Sequence, residues 1–144
     1  MEYLKSYLEN QMKQKCNFSY ARTTVNDYRI KVIYMNEDRE KVLEVRGELF
    51  NNTFVIDFLK TYTQFRGQGI CKQYLTNLIQ IQTINIGIFQ VVSSTLNHIL
   101  AGLDFKPANF TESYQLERET VNTGCSYYVK DFGDYIYTTI KGGE

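Results

Sequence analysis

The chain has 144 residues, a length that fits one domain over residues 1–144. Its 16 basic and 16 acidic side chains give a formal net charge of zero, which excludes a general electrostatic attraction to nucleic acid or to an anionic membrane. Three cysteines without a CxxC pair, together with one histidine, argue against a disulfide framework and against a metal site, and they favour reduced thiols in the cytoplasm.

The N-terminal segment has the pattern of an amphipathic helix. Leu4, Leu8 and Met12 repeat at helical spacing, which predicts a helix over residues 2–15. Charged residues occur throughout this segment, so it does not have the pattern of a signal peptide. No apolar run along the chain approaches the length of a membrane span, and no membrane partner is expected.

Three strands are predicted next along the chain. Polarity alternates over residues 28–34, and strand patterns follow over 41–50 and 53–63. The asparagine pair at 51–52 tolerates positive φ and predicts a tight hairpin between the second and third strands. The apolar face of the third strand changes parity near 58–59, which predicts a β-bulge there.

From Gly69 the apolar period becomes helical and predicts a helix to about residue 83. The apolar run 86–92 is typical of a central parallel strand, and 93–103 is predicted to be a short helix. Residues 111–141 are predicted to form two or three antiparallel strands. The expected fold is therefore one α+β domain, with a mixed, mostly antiparallel sheet, flanking helices and a central parallel βαβ unit of right-handed crossover.

The junction between the third strand and the following helix reads Arg66-Gly67-Gln68-Gly69. The first N–H groups of a helix lack partners, the helix dipole adds positive charge, and glycines let the backbone approach a ligand closely. This combination predicts an anion cradle suited to phosphate, with charge from Arg66 and Lys72. The P-loop and dinucleotide patterns both fail here. The alternative is a glycine-bearing loop that only turns the chain.

This strand, loop and helix resemble motif A of the GNAT superfamily of acetyl-CoA-dependent N-acyltransferases, [R/Q]xxGx[G/A]. The motif reads Arg66-Gly67-Gln68-Gly69-Ile70-Cys71, with cysteine in the last slot. An overlapping frame, Gln64-x-x-Gly67-x-Gly69, also matches, but the apolar spacing of the helix favours the Arg66 frame. Downstream, Phe105 matches the end of the family's next βα unit, whereas Asp104 replaces a glycine. The resemblance covers roughly residues 28–131.

The resemblance implies a pose for acetyl-CoA as co-substrate. Backbone N–H groups of 67–71 would hold its pyrophosphate. Backbone groups of Leu59, Lys60 and Thr61 would pair with the pantetheine arm like an added strand, in a gap that the bulge opens. The family's polar helix-start residue falls at Ser93, which could bond the pantetheine or only cap the helix.

Acyl transfer to an amine requires the loss of a proton from an ammonium of pKa ~10.4, which costs about 4–5 kcal/mol at pH 7. Asp57 and Glu48 are the candidate bases, acting directly or through water. The alternatives are that Asp57 pairs with a basic residue or lies on an exposed pleat, and that Glu48 is a solvated strand residue. The family often has a tyrosine that serves as general acid for the departing thiol. Counting back from Phe105 places Leu100 at that position.

The expected function is transfer of an acetyl group from acetyl-CoA to a primary amine, by direct attack in a ternary complex. The acceptor could be a small molecule, a peptide N-terminus or a lysine. The alternative is a catalytically silent CoA-binding or protein-interaction module on the same fold, which Leu100 and Asp104 motivate. The tyrosine-rich C-terminal strands could pair between subunits, so a homodimer is one expected assembly.

Overall fold

Three helices and seven strands make up the part of the chain that the computed structural model describes, residues 2–50, 53–81, 85–91, 94–103, 105–108 and 125–128. Helix α1 covers 2–15, α2 is Ile70–Leu78 and α3 is Ser94–Gly102. The strands are β1 (Tyr20–Asn26), β2 (Arg29–Met35), β3 (Lys41–Phe50), β4 (Thr53–Thr61), β5 (Asn85–Val91), β6 (Lys106–Ala108) and β7 (Cys125–Tyr128). A short 3-10 turn, Thr63–Phe65, follows β4.

The described strands form one sheet in the order β1-β2-β3-β4-β5-β7-β6. The β4/β5 pair is parallel, and the other neighbours in this sheet are antiparallel. Helix α2 connects the two parallel strands, so the predicted α+β class with a central βαβ unit is confirmed. The hairpin predicted at 51–52 lies outside the described residues.

Three elements differ from the sequence-based prediction. Strand β1 was not predicted because it is an edge strand whose residues are mostly exposed, so it lacks an apolar face. Helix α2 ends at Leu78 rather than near residue 83, although Ile81, past the helix end, is still buried in the core. Strand β6 begins before the region 111–141 and β7 falls within it; the rest of that region lies outside the described residues.

The core lies between one face of the sheet and the helices. It contains alternate residues of the central strands, such as Val32, Val45 and Ile56, packed with Leu8 of α1 and Leu75 of α2. All five side chains are fully buried. The alternation places the next residues of each strand on the opposite face, where the polar side chains discussed below lie.

A buried hydrogen-bond chain links the sheet to α1. The middle of α1 is a π-helical turn, Tyr7–Gln11. The Tyr34 hydroxyl donates to the carbonyl of Leu8 at 2.7 Å and accepts from the Tyr74 hydroxyl at 2.9 Å. Burial, with Tyr74 nearby, raises the pKa of Tyr34 well above its usual value, so the hydroxyl stays protonated and can donate. The π-helical turn thus has a side-chain partner for its Leu8 carbonyl.

Replacing Tyr34 with Phe should therefore lower the free energy of unfolding by about 2 kcal/mol, because a buried carbonyl and a buried hydroxyl lose their partners. Chemical denaturation by urea measures this change. Tyr28→Phe is the matched control, since Tyr28 is 71% exposed and its change should stay within about 0.5 kcal/mol. Equal effects of the two substitutions would contradict the role given to the Tyr34 hydroxyl.

Candidate functional site

The parallel strands β4 and β5 separate part of the way along their length. They pair only over Thr53–Ile56, although β4 continues to Thr61. At the separation, Arg46 pairs with Phe58 and Gly47 pairs with Ile56, so Asp57 is an extra residue in β4. The predicted bulge is thus present, one residue before its predicted position. Beyond it, the edge of β4 that faces β5 borders a gap.

Gly47 permits the close approach of β3 and β4 at this bulge. A Cβ atom at Gly47 would lie 2.8 Å from a ring carbon of Phe54 and 3.0 Å from the Cα of Ile56, and would overlap the carbonyl oxygen of Val55. Because two of these three neighbours are backbone atoms, they cannot rotate away. A side chain at this position would therefore force β3 and β4 apart.

The register of β3 and β4 shows which backbone groups face the gap. The N–H of Tyr62 bonds to the carbonyl of Val42 at 2.9 Å. Since hydrogen-bonded pairs alternate along an antiparallel ladder, Lys60 directs its backbone groups toward β3, whereas Leu59 and Thr61 direct theirs toward the gap. The Thr61 carbonyl accepts a hydrogen bond from Arg66 Nε at 2.9 Å. Of the three predicted strand residues, Leu59 and Thr61 can thus pair with an added chain, and Lys60 cannot pair through its backbone.

The loop before α2 presents a row of backbone N–H groups. Gly67 and Gly69 have φ values of 82° and 75°, and a Cβ at either glycine would meet nothing within 4 Å. The N–H of Gln73 bonds to the carbonyl of Gly69. Within the described part of the chain, the N–H groups of 67–72 donate no hydrogen bond. The loop therefore has the open donors that an anion cradle requires.

The backbone angles also bear on the two frames of the loop motif. In the Gln64 frame, the two small-residue slots are Gly67 and Gly69, and both have positive φ. In the Arg66 frame, the last slot is Cys71, which lies in the first turn of α2. A slot that also accepts alanine does not require positive φ, so the helical conformation of Cys71 agrees with the Arg66 frame. The same loop forms the cradle in either frame, so the choice changes the alignment and not the location of the site.

One cavity of about 830 Å³ joins the loop to the gap. Its lining residues are Phe58, Leu59, Lys60, Thr61, Phe65, Arg66, Gly67, Gly69, Ile70, Cys71, Lys72, Leu96 and Ile99. Of the predicted loop residues, Gln68 does not line it. The charged side chains in this lining are the cations of Lys60, Arg66 and Lys72, and the rest is largely apolar. The cavity is therefore suited to an extended, partly apolar ligand with a negatively charged end.

Cys71 lines this cavity as a neutral thiol. Burial raises the pKa of Cys71 to about 11, so little thiolate forms at neutral pH. Its side chain is small enough to leave space in the cavity where the motif usually has glycine or alanine. Cys71 thus acts as a packing residue and not as a nucleophile.

The two candidate bases share one partner, Arg29. Its guanidinium donates to both carboxylate oxygens of Asp57, at 2.8 and 2.9 Å, and to Glu48 at 3.2 Å. The hydrogen bond to Asp57 is the largest cause of a raised pKa for Arg29. The ion pair is one of the two alternatives that the sequence left open for Asp57. Arg29 was not singled out from the sequence, because cross-strand pairing depends on a register that the sequence does not display.

Other predicted positions take no part in the described cavity. Ser93 lies outside the described residues. Leu100 is fully buried in the core and does not line the cavity, so its side chain contributes no acid there. Within the described ranges, no three His, Cys, Asp or Glu side chains come together in a way that could hold a metal ion. Nor is any described helix long and apolar enough to cross a membrane.

Comparison with known proteins gives matches at the level of structure. A GNAT-family acetyltransferase from Staphylococcus aureus Mu50 is 15% identical, with a TM-score of 0.54 over 89% of this chain and 90% of that chain. The putative N-acetyl transferase YhhK from E. coli, solved bound to coenzyme A, is 12% identical, with a TM-score of 0.51 over 90% of this chain and 91% of that one. The spermidine N-acetyltransferase SpeG from Vibrio cholerae (F149G mutant) is 10% identical, with a TM-score of 0.52 over 72% and 65%.

No family model and no curated protein matches the sequence. At 10–15% identity, the structural likeness shows the fold alone. The chain has the GNAT fold, as the strand–loop–helix motif predicts.

Proposed function

We propose that this chain of GNAT fold is an N-acyltransferase that moves an acetyl group from acetyl-CoA to a primary amine. One observation carries the proposal: the N–H groups of 67–72, shaped by two glycines of positive φ, donate to no described residue and open onto the gap between β4 and β5. A loop that only turned the chain would require neither open donors nor a cavity beside it. Free thiols at Cys16 and Cys71 support a reducing, cytoplasmic setting.

The residues present fit coenzyme A. The N–H groups of 67–72 would hold the pyrophosphate, with charge from Arg66 and Lys72. The backbone of Leu59 and the N–H of Thr61 would pair with the pantetheine arm, since these groups face the gap. Acetyl-CoA supplies an acyl group activated as a thioester. A contact from Ser93 to the arm stays part of the proposal on the basis of the sequence motif.

The amine must lose a proton before it attacks. Asp57 lies where β4 and β5 separate, and Glu48 lies beside it on β3, so these carboxylates are proposed to accept the proton, through water. The hydrogen bonds from Arg29 hold both carboxylates in place at this point of the sheet. The proton is easiest to remove from an acceptor that is already partly neutral. The α-amine of a peptide, of pKa ~8, costs only about 1 kcal/mol to deprotonate at pH 7.

The departing thiol needs no acid from the position of Leu100. A thiol of pKa about 8.5 can leave as thiolate at pH 7 for about 2 kcal/mol. The backbone N–H of Leu59 is proposed to polarise the acyl carbonyl, because it faces the gap and lies nearer the bulge than the N–H of Thr61.

The test is a panel of small amines, peptides and lysine-containing peptides incubated with acetyl-CoA, monitored for free thiol and for acetylated product. Calorimetry measures coenzyme A binding in parallel. We expect micromolar binding and turnover of at least one amine. Binding without turnover would support the silent module instead, and the absence of binding would contradict the cofactor site itself.

A further inference from the structure

Arg46 is held in a fixed position beside the cavity. Its guanidinium stacks on Phe58, with its central carbon 4.3 Å from the ring centroid, and Phe58 lines the cavity. Its Nε donates to Glu44 at 2.6 Å. Glu44 is buried and accepts a second hydrogen bond from the Tyr62 hydroxyl at 3.0 Å. The plane of the guanidinium is therefore set by two independent contacts.

The outer edge of this guanidinium is open. Its two terminal amino groups donate to no residue in the described part of the chain, and the Arg46 side chain is 42% exposed. A planar guanidinium with both terminal amino groups open matches a carboxylate in bidentate geometry. Because stacking and the Nε hydrogen bond already fix the side chain, little conformational entropy is lost when a ligand binds.

The charged side chains on the face of the sheet that carries Arg46 form two regions. Lys31 lies opposite Arg46 on β2, and Lys60 lies opposite Glu44 on β4, so three cations surround one carboxylate. Burial alone would raise the pKa of Glu44, but the hydrogen bonds from Arg46 and Tyr62 outweigh burial and lower it, so Glu44 is ionised at neutral pH. This region still carries two positive charges in excess.

The second region has the opposite balance of charge. It begins two residues beyond Arg46 on β3, where Arg29 faces two carboxylates, Asp57 and Glu48, at the point where β4 and β5 separate. The face thus carries excess positive charge around Arg46 and excess negative charge at the proposed site of amine attack. Such a pair of regions is complementary to a zwitterion, with its amine toward Asp57 and its anion toward Arg46.

We propose that Arg46 binds the carboxylate of the amine acceptor, and that the acceptor is an amino acid or a short peptide with a nearby carboxylate. This inference rests on the proposed acyl transfer and names its substrate class. A polyamine such as spermidine is a poor acceptor here, because it would bring further positive charge to Lys31, Arg46 and Lys60.

The test compares the twenty standard amino acids with their α-carboxamides, in which a neutral amide replaces the carboxylate, and with spermidine. Calorimetry in the presence of coenzyme A measures binding, and thiol release measures KM and kcat. We expect the favoured amino acid to bind at least about 10-fold more tightly than its carboxamide. Arg46→Gln should raise KM for that amino acid about 10-fold to 100-fold, with a smaller change in kcat and no change for the carboxamide.

Two further variants control the result. Arg46→Lys keeps the charge and loses the planar pair of donors, so its KM should fall between those of the wild type and Arg46→Gln. Arg22→Gln removes an exposed cation from β1 at the edge of the sheet and should leave KM unchanged. Equal binding of amino acids and carboxamides, a preference for spermidine, or equal effects of Arg46→Gln and Arg22→Gln would overturn the inference.

The outcome separates this inference from the proposed function. Turnover of spermidine or of the carboxamides alone would overturn the acceptor class and leave acyl transfer standing. Absence of turnover with every amine would overturn acyl transfer, and the calorimetric comparison would still decide whether Arg46 recognises a carboxylate.

Discussion

Gly69→Asp should weaken coenzyme A binding by about 100-fold or more. The added carboxylate would stand among the N–H groups of 67–72, where a Cβ meets nothing within 4 Å and where the pyrophosphate is proposed to lie. Two like charges 4 Å apart at a protein surface repel by about 4 kcal/mol. Aspartate tolerates positive φ better than most residues, so the loop should still form. Calorimetric titration with coenzyme A measures the loss.

Two variants separate charge from backbone strain and from general damage. Gly69→Ala adds a Cβ without charge at a φ of 75°, so its cost should fall mainly on stability, about 1–2 kcal/mol, with a few-fold effect on binding. Gly102→Asp makes the same chemical change at an exposed glycine of α3 and should leave binding unchanged. Wild-type affinity in Gly69→Asp would show that the loop does not hold the cofactor.

Gly47→Ala should lower the free energy of unfolding by about 2–3 kcal/mol, more than overpacking by one methyl group usually costs at an adaptable site. The added methyl would meet the Phe54 ring and the backbone of the facing strand at the bulge. Relief requires β3 and β4 to move apart where Asp57 is inserted. Urea denaturation of the purified variant measures the change.

Gly102→Ala is the matched control for this substitution. Its Cβ would meet nothing within 4 Å, and alanine is the better helix former, so this variant should be unchanged or stabilised by up to about 1 kcal/mol. Equal stability of Gly47→Ala and Gly102→Ala would contradict the close approach of β3 and β4 at Gly47. It would also contradict the position of the bulge, which depends on that approach.

The elements that the sequence predicts well are those with a regular pattern. Alternating polarity locates β2, and the helical period locates α1. The glycines at 67 and 69 stand between a strand and a helix, and this local order is enough to predict the cradle. The period of α2 favours the Arg66 frame, and the helical conformation of Cys71 in the last slot of that frame agrees with it.

The side-chain contacts of the site depend on register, which the pattern of residues leaves open. Arg29 reaches Asp57 across 28 positions of sequence, and Arg46 meets Phe58 because the bulge shifts the pairing by one residue. A shift of one position would move either side chain to the other face of the sheet. The parity change in the third strand was the signal for the bulge, and it located that feature to within one residue.

The most direct test of the central claim is a titration of isotope-labelled protein with coenzyme A, followed residue by residue through its backbone amide signals. We expect the largest shifts at 67–72, smaller ones at Leu59 and Thr61, and none along β1. Binding that moves the amide signals elsewhere and leaves 67–72 unchanged would contradict the cradle and, with it, the proposed acyl transfer.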